Sequence, residues 1–141
     1  MTARLLRKLN ALPAAAKKAI DDALLASAAE LHQVVVTNVQ RNSGSGRRYK
    51  RGGRTHVASA PGEYPNTDTG ALVNSMRFER RGDLHWVWLA GIFYAKLLEF
   101  GTSRMAARPF ARPSWKKVEP RSQKRVRSAV QTAIKKVASG G

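Results

Sequence analysis

Histidine, aspartate and glutamate are the side chains here that could hold a metal ion or move a proton; cysteine is absent, which removes disulfides, thiolate nucleophiles and cysteine metal sites together. The three histidines, His32, His56 and His85, fall on a helix, in a basic loop and on a strand. No spacing among them brings two imidazoles to one metal ion. Asp21 and Asp22 are adjacent near the N-terminal end of a helix, where they complement its dipole, and they point in different directions. A nuclease needs two or more acids gathered around Mg2+, and Glu63, Asp68, Glu79 and Asp83 are scattered. Gly44, Gly46, Gly52 and Gly53 lack the strand-loop-helix context of a phosphate-binding loop. The expectation is a protein with no catalytic activity, no metal and no cofactor.

Two charged features remain. Glu99 lies between Leu98 and Phe100 in the most apolar part of the chain, where an ionised carboxylate needs a partner or a place at the domain edge. Arg104, Arg108 or Arg112 would supply that partner, arginine being favoured over lysine for its bidentate geometry. The expectation is an ion pair that fixes the following loop, with a pair between subunits as the alternative. The second feature is the run Arg41, Arg47, Arg48, Lys50, Arg51 and Arg54, which contains no acid. Over the chain, 26 Lys and Arg face 9 acids, a net charge of +17 with a pI near 11.4. Such a surface favours a polyanion or an acidic protein. Arg47, Arg48, Lys50, Arg51 and Arg54 are therefore the candidate nucleic-acid contacts. Zinc spacing and the aromatic-glycine strands that read bases are both missing, so such contact would be sequence-nonspecific.

The elements that must position these groups follow from periodicity. At 141 residues the chain has the size of a single domain, 1–141. Pro13 is well placed as a first helical residue, and Ile20, Leu24, Ala28, Leu31, Val35 and Val39 recur in steps of three and four, predicting a long helix to about Gln40. The stretch 41–69 has no periodicity and reads as a long basic loop. Met76, Phe78 and Arg80, then Leu84, Trp86 and Trp88, alternate on either side of Arg81-Gly82-Asp83 and predict a β-hairpin, its second strand lying between two layers. Phe93, Leu97 and Phe100 predict a short buried helix ended by Gly101. Pro109 and Pro113 argue against regular structure, and a basic amphipathic helix begins near Pro120 with Val126, Val130, Ile134 and Val137 on its apolar stripe. The fold class is α+β: a long N-terminal helix packed on a small antiparallel sheet, a short central helix and a basic C-terminal helix. A further strand is expected from the basic loop or from Met105 to Phe110, since two strands alone are rarely stable. No apolar run of signal-peptide or membrane-spanning length follows the basic N-terminus, so a soluble cytoplasmic product without membrane contact is expected.

Two stretches, SAPGEYPNTDTGAL at 59–72 and YAKLLEFGTSRMAARPFARPS at 94–114, resemble a family of small tail-component proteins of long-tailed bacteriophages. The resemblance keeps the same element order from Ala16 to Val137. Its more specific part combines Tyr94, Ala95, Glu99, Gly101, Thr102, Ala107, Arg108, Pro109, Phe110 and Pro113. It implies a structural virion subunit that completes the tail or joins it to the head. That subunit would work as a homo-oligomeric, hexameric ring among other neck and tail proteins, with genomic DNA crossing the channel. It would be made in the host cytoplasm and end in the tail or neck of the virion. On that reading Glu99, Arg104, Arg108, Phe110 and Arg112 are interface candidates, with Phe110 and Trp115 packing on the hairpin and Arg108 and Arg112 facing outward. The chain departs from the family in its positive charge and extended basic loop. A sequence-nonspecific nucleic-acid-binding protein is the alternative function.

Overall fold

A computed structural model describes residues 3–42 and 44–140, apart from the side chain of Leu6; Ser43, within the basic loop, lies outside the described residues. A short helix, α1 (Ala3–Asn10), precedes Pro13, and α2 (Ala14–Arg41) then runs without a break for 28 residues, about 42 Å at 1.5 Å per residue. Its buried residues, Ala16, Ile20, Ala23, Ser27, Val35 and Val39, keep the helical spacing that the sequence predicts. The β-branched run Val34–Thr37 stays helical because Val35 and Val39 are fully buried, and packing outweighs their modest helix propensity.

Along α2 lies α5 (Ala111–Ala138), also 28 residues. Asn38 donates to the Ser114 hydroxyl at 3.2 Å, Arg125 to the Ser27 hydroxyl at 3.0 Å, and Ala133 packs with Ala16 and Ile20, so the two helices are antiparallel. The expected start near Pro120 is too late by nine residues. Pro113 sits in the first turn, where a missing N–H is no loss, and Pro120 is on the exposed side. The expected stripe is also displaced: Ser114, Val118, Ser122 and Ala133 are buried, whereas Ile134 and Val137 are exposed. Small residues let the two helices approach closely, and the Ser27 and Ser114 hydroxyls are tolerated because they donate to the Ala23 and Phe110 carbonyls.

The hairpin forms as predicted from β3 (Met76–Gly82) and β4 (His85–Ala90), with Phe78 opposite Trp88 and Arg80 opposite Trp86. The turn is Asp83-Leu84, one residue later than expected, after an irregularity between Arg80 and Gly82. One face rests on α2: the Trp86 indole donates to Asp21 at 3.0 Å, the Trp88 indole to His32 at 3.3 Å, and His32 meets Phe78 edge-on. On the other face the expected second layer is not found among the described residues. Val87 and Leu89 belong to neither core cluster, and Arg77 and Arg81 flank Glu79 at 3.2 and 2.5 Å. The main core gathers Val35, Val39, Leu72 from the one-turn helix α3 (Ala71–Asn74), Met76, Ala95 and Phe110.

The stretch 41–69 is not loop throughout. It holds a second hairpin, β1 (Arg48–Arg51) and β2 (Arg54–Val57), joined at Gly52-Gly53 with φ of 58° and 75°, the primed turn that a glycine pair favours. The extra strands expected from this region are present, but they form a separate two-stranded sheet. Met105 makes only an isolated bridge with Thr102.

Candidate assembly surfaces

The corner around Glu99 is built by α4 (Ala95–Phe100), which turns Ala95 and Glu99 inward. It ends at Gly101, whose φ is 73° and where a Cβ would stand 2.8 Å from the Ala107 nitrogen, so no other residue fits. The chain folds back, the Arg108 amide donates to the Leu98 carbonyl at 2.7 Å, and α5 begins beside Glu99. That carboxylate, 9% exposed, accepts the backbone N–H groups of Phe110 at 2.8 Å, Ala111 at 2.9 Å and Arg112 at 2.9 Å. Donors at a helix start have no partner within the helix, and a negative charge suits that end.

The expected ion pair is thus replaced by a cap on α5. Among the described residues no guanidinium pairs with Glu99. Arg108 is turned inward instead of outward, its Nε donating to the Ser59 carbonyl at 3.0 Å. The Arg112 guanidinium lies 4.4 Å from the Phe100 ring centroid, and Arg104 is exposed. Phe110 packs on the hairpin as expected, edge-on to Trp88 at 6.3 Å, while Trp115 remains more than a third exposed. The five interface candidates therefore separate: Glu99 and Phe110 hold the subunit together, Arg108 is half-buried, and Arg104 and Arg112 reach the surface.

The outer side of α4 reverses another expectation. Phe93, Leu97 and Phe100 are 85%, 41% and 55% exposed, and the core takes Ala95, Leu98 and Glu99 instead. Leu97 and Phe100, three residues apart, share one face of the helix, and Phe93 lies in the turn that precedes it.

The basic hairpin has two unlike faces. On one, Tyr49 stacks on His56, and Asp68 receives the Tyr49 hydroxyl at 3.3 Å, Arg51 at 3.0 Å and His56 Nδ1 at 2.8 Å. Desolvation, with Asp68 adding to it, raises the Tyr49 hydroxyl above its ordinary pKa. The other face presents Arg48 and Lys50 to solvent. Of the five candidate nucleic-acid contacts, Arg51 is engaged by Asp68, while Arg47, Arg48, Lys50 and Arg54 have no carboxylate partner among the described residues. A cleft of about 370 Å3 separates the hairpin from Leu72, Tyr94 and Leu98. Glu63 clasps the foot of this region: it accepts the Ser45 hydroxyl and the Ser45 and Ala60 amides, and the Ser45 hydroxyl leads in holding its carboxyl below the ordinary range. Neither clasp was foreseen. The glycine pair at the centre of RYKRGGRTHV was the available signal for a hairpin, and the hairpin register would then have put Tyr49, Arg51 and His56 on one face.

Every one of the nine carboxylates has a partner within the chain: the others bond Trp86 (Asp21), Lys18 (Asp22), Arg121 and Arg125 (Glu30), Arg80 (Asp83) and Gln123 (Glu119). Among the described residues most of the 26 cations pair with no carboxylate. Among the described residues no three His, Asp or Glu side chains gather to hold a metal ion, and no helix is long and apolar enough to cross a membrane.

A family model described as "Bacteriophage HK97-gp10, putative tail-component" matches residues 3–101, from α1 to the glycine that ends α4. No curated protein and no solved structure gives a significant match.

Proposed function

Since the chain belongs to the HK97-gp10-like family of bacteriophage tail components, we propose that it is a structural subunit forming a ring at the head-tail joint, where it completes the tail or connects it to the head. The family match carries this reading. The surfaces support it: a rigid α2–α5 pair carries on one side an exposed apolar corner and on another a cationic hairpin, both with unmet binding capacity. The subunit has a binding role and no catalysis. It is made in the host cytoplasm and carried in the virion, in a ring of six copies bordered by other neck and tail proteins. In that ring Arg47, Arg48, Lys50 and Arg54 face either the DNA that crosses the channel or acidic neighbours.

Electron microscopy of particles from a phage lacking this chain tests the proposal. Separate full heads and separate tails are expected; joined, infectious particles would reject it. The alternative, a sequence-nonspecific nucleic-acid-binding protein, rests on the net charge of +17 and the outward cations of the hairpin. It requires stable DNA complexes in the absence of other virion proteins, and light scattering on DNA-free and DNA-bound protein separates the two.

A further inference from the structure

We infer that the outer face of α4 is a docking site for an acidic segment of a different protein, which lays apolar side chains on Phe93, Leu97 and Phe100 and carboxylates on Lys96, Arg112 and Lys116. The inference deepens the structural-subunit reading, since that protein would be a neighbour at the joint.

The apolar half of the site is the ridge itself. Phe93 at 85% and Phe100 at 55% exposure are large hydrophobic surfaces left in water by a chain that buries Phe110 to 2% a few residues later. Leu97 and Phe100 lie three residues apart on α4, and Phe93 stands exposed in the turn just before it. Beside Phe100 a cleft of about 420 Å3, walled by Pro109 and Pro113, has room for one large apolar side chain. The charged half is the rim. Lys96 sits on the exposed side of α4, Lys116 lines the cleft, and the Arg112 guanidinium is held against the Phe100 ring. None of the three meets a carboxylate among the described residues.

Charge then selects the occupant. A second copy of this chain would bring another +17, and all nine of its carboxylates are already engaged. DNA phosphates would meet the rim but leave the ridge in water. A segment with apolar anchors and flanking Asp or Glu satisfies both halves.

The test replaces Phe93 by the photo-crosslinking residue benzoylphenylalanine, a change that its exposure accommodates, in cells producing the phage. After irradiation the crosslinked peptide is sequenced by mass spectrometry. The expected product is a peptide of another virion protein with net negative charge and apolar residues at the site of attachment. A crosslink to this same chain, to a neutral or basic peptide or to DNA would overturn the inference, as would a yield no higher than from the same probe at exposed Gln131. Lys96→Glu with Lys116→Glu should lower the yield at least tenfold, whereas Lys135→Glu with Lys136→Glu, an equal charge change at the far end of α5, should leave it unchanged. Equal yields from the two pairs would overturn it. Should the first pair lower the melting temperature, Lys96→Gln with Lys116→Gln repeats the comparison. Head-tail joining fails separately: joined particles without this chain, together with an acidic crosslink, reject the joint reading and keep the site. Separated heads and tails together with a self-crosslink do the reverse.

Discussion

Glu99 and Asp68 each fasten a stretch of chain that leaves the main core, and they do it in opposite ways. Glu99 is buried and accepts three main-chain N–H groups, so it bonds to something that is present whatever the side chains do. Asp68 is partly open to solvent and accepts Tyr49, Arg51 and His56, three side chains reaching from a hairpin that stands off the core across a cleft. The first arrangement fixes the start of α5 against α4. The second is a clip, whose ion pair is screened by water and salt. The α4 corner is thereby held by main-chain bonds, and the hairpin by side chains reaching across the cleft.

The strongest test of this contrast is a pair of substitutions. Glu99→Ala strands three helix-terminal donors and should cost on the order of 3 kcal/mol, lowering the melting temperature by roughly 10 °C for a chain of this size. Asp68→Ala should cost about 1 kcal/mol or less, and Glu63→Ala should also fall well short of Glu99→Ala. Equal melting temperatures for the Glu99 and Asp68 variants would erase the distinction. Hydrogen exchange on the isolated subunit sharpens it: amides of Arg48–Val57 should exchange roughly a hundredfold faster than those of Phe110–Arg112. Strong protection of the hairpin in the free subunit would mean that it is not a clip.

A smaller effect is expected at the α2–α5 contact. The Arg125 hydrogen bond, with help from Arg121, holds the Glu30 carboxyl below its ordinary 4.5. A carboxyl depressed by folding contributes stability that is complete above its unfolded value and is lost as pH falls through its lower folded value. Glu30→Gln should therefore cost stability at neutral pH and little below that window, so that its melting curve converges with that of the parent in acid. A constant gap across pH would place the effect elsewhere. Least effect on stability is expected from Arg47→Ser, Arg48→Ser and Lys50→Ser combined, which should leave the melting temperature unchanged while flattening the log-log salt dependence of duplex DNA affinity by about two to three units. An unchanged slope would assign these cations to acidic neighbours.

The long helix and the 76–89 hairpin were legible because each carries its own period, and the family resemblance was legible in the 59–72 turn residues and in Tyr94 to Gly101, which lie within the matched stretch, whereas Thr102 to Pro113 lie beyond it. The α5 start was hidden because proline reads as a breaker, although at Pro113 the helix loses no bond and at Pro120 the exposed side absorbs the loss. The face of α5 was misread because serine and alanine, small enough for close helix contact, score as polar or neutral beside Ile134 and Val137. At α4 the apolar spacing placed a helix, but Phe93 falls in the turn before it, and apolar spacing does not say whether this chain or another covers the residues. Glu99 was recognised as needing a partner; that the partner is main chain depends on where α5 begins, which the prolines concealed.

The engagement of all nine carboxylates also bears on how such a sequence can drift. Loss of a lysine or arginine from the outer faces removes no joint, so that substitution is nearly free in structural terms. Loss of Glu99, Asp68, Glu63 or Glu30 unfastens a helix start, a clasp or a helix pair. New acids on the surface, in turn, would weaken the positive field that the net charge of +17 creates. The count of acids in this chain is therefore bounded from below by its internal fastenings, and across relatives that share this architecture the positions of Glu99, Asp68 and Glu30 should vary far less than those of the cations around them.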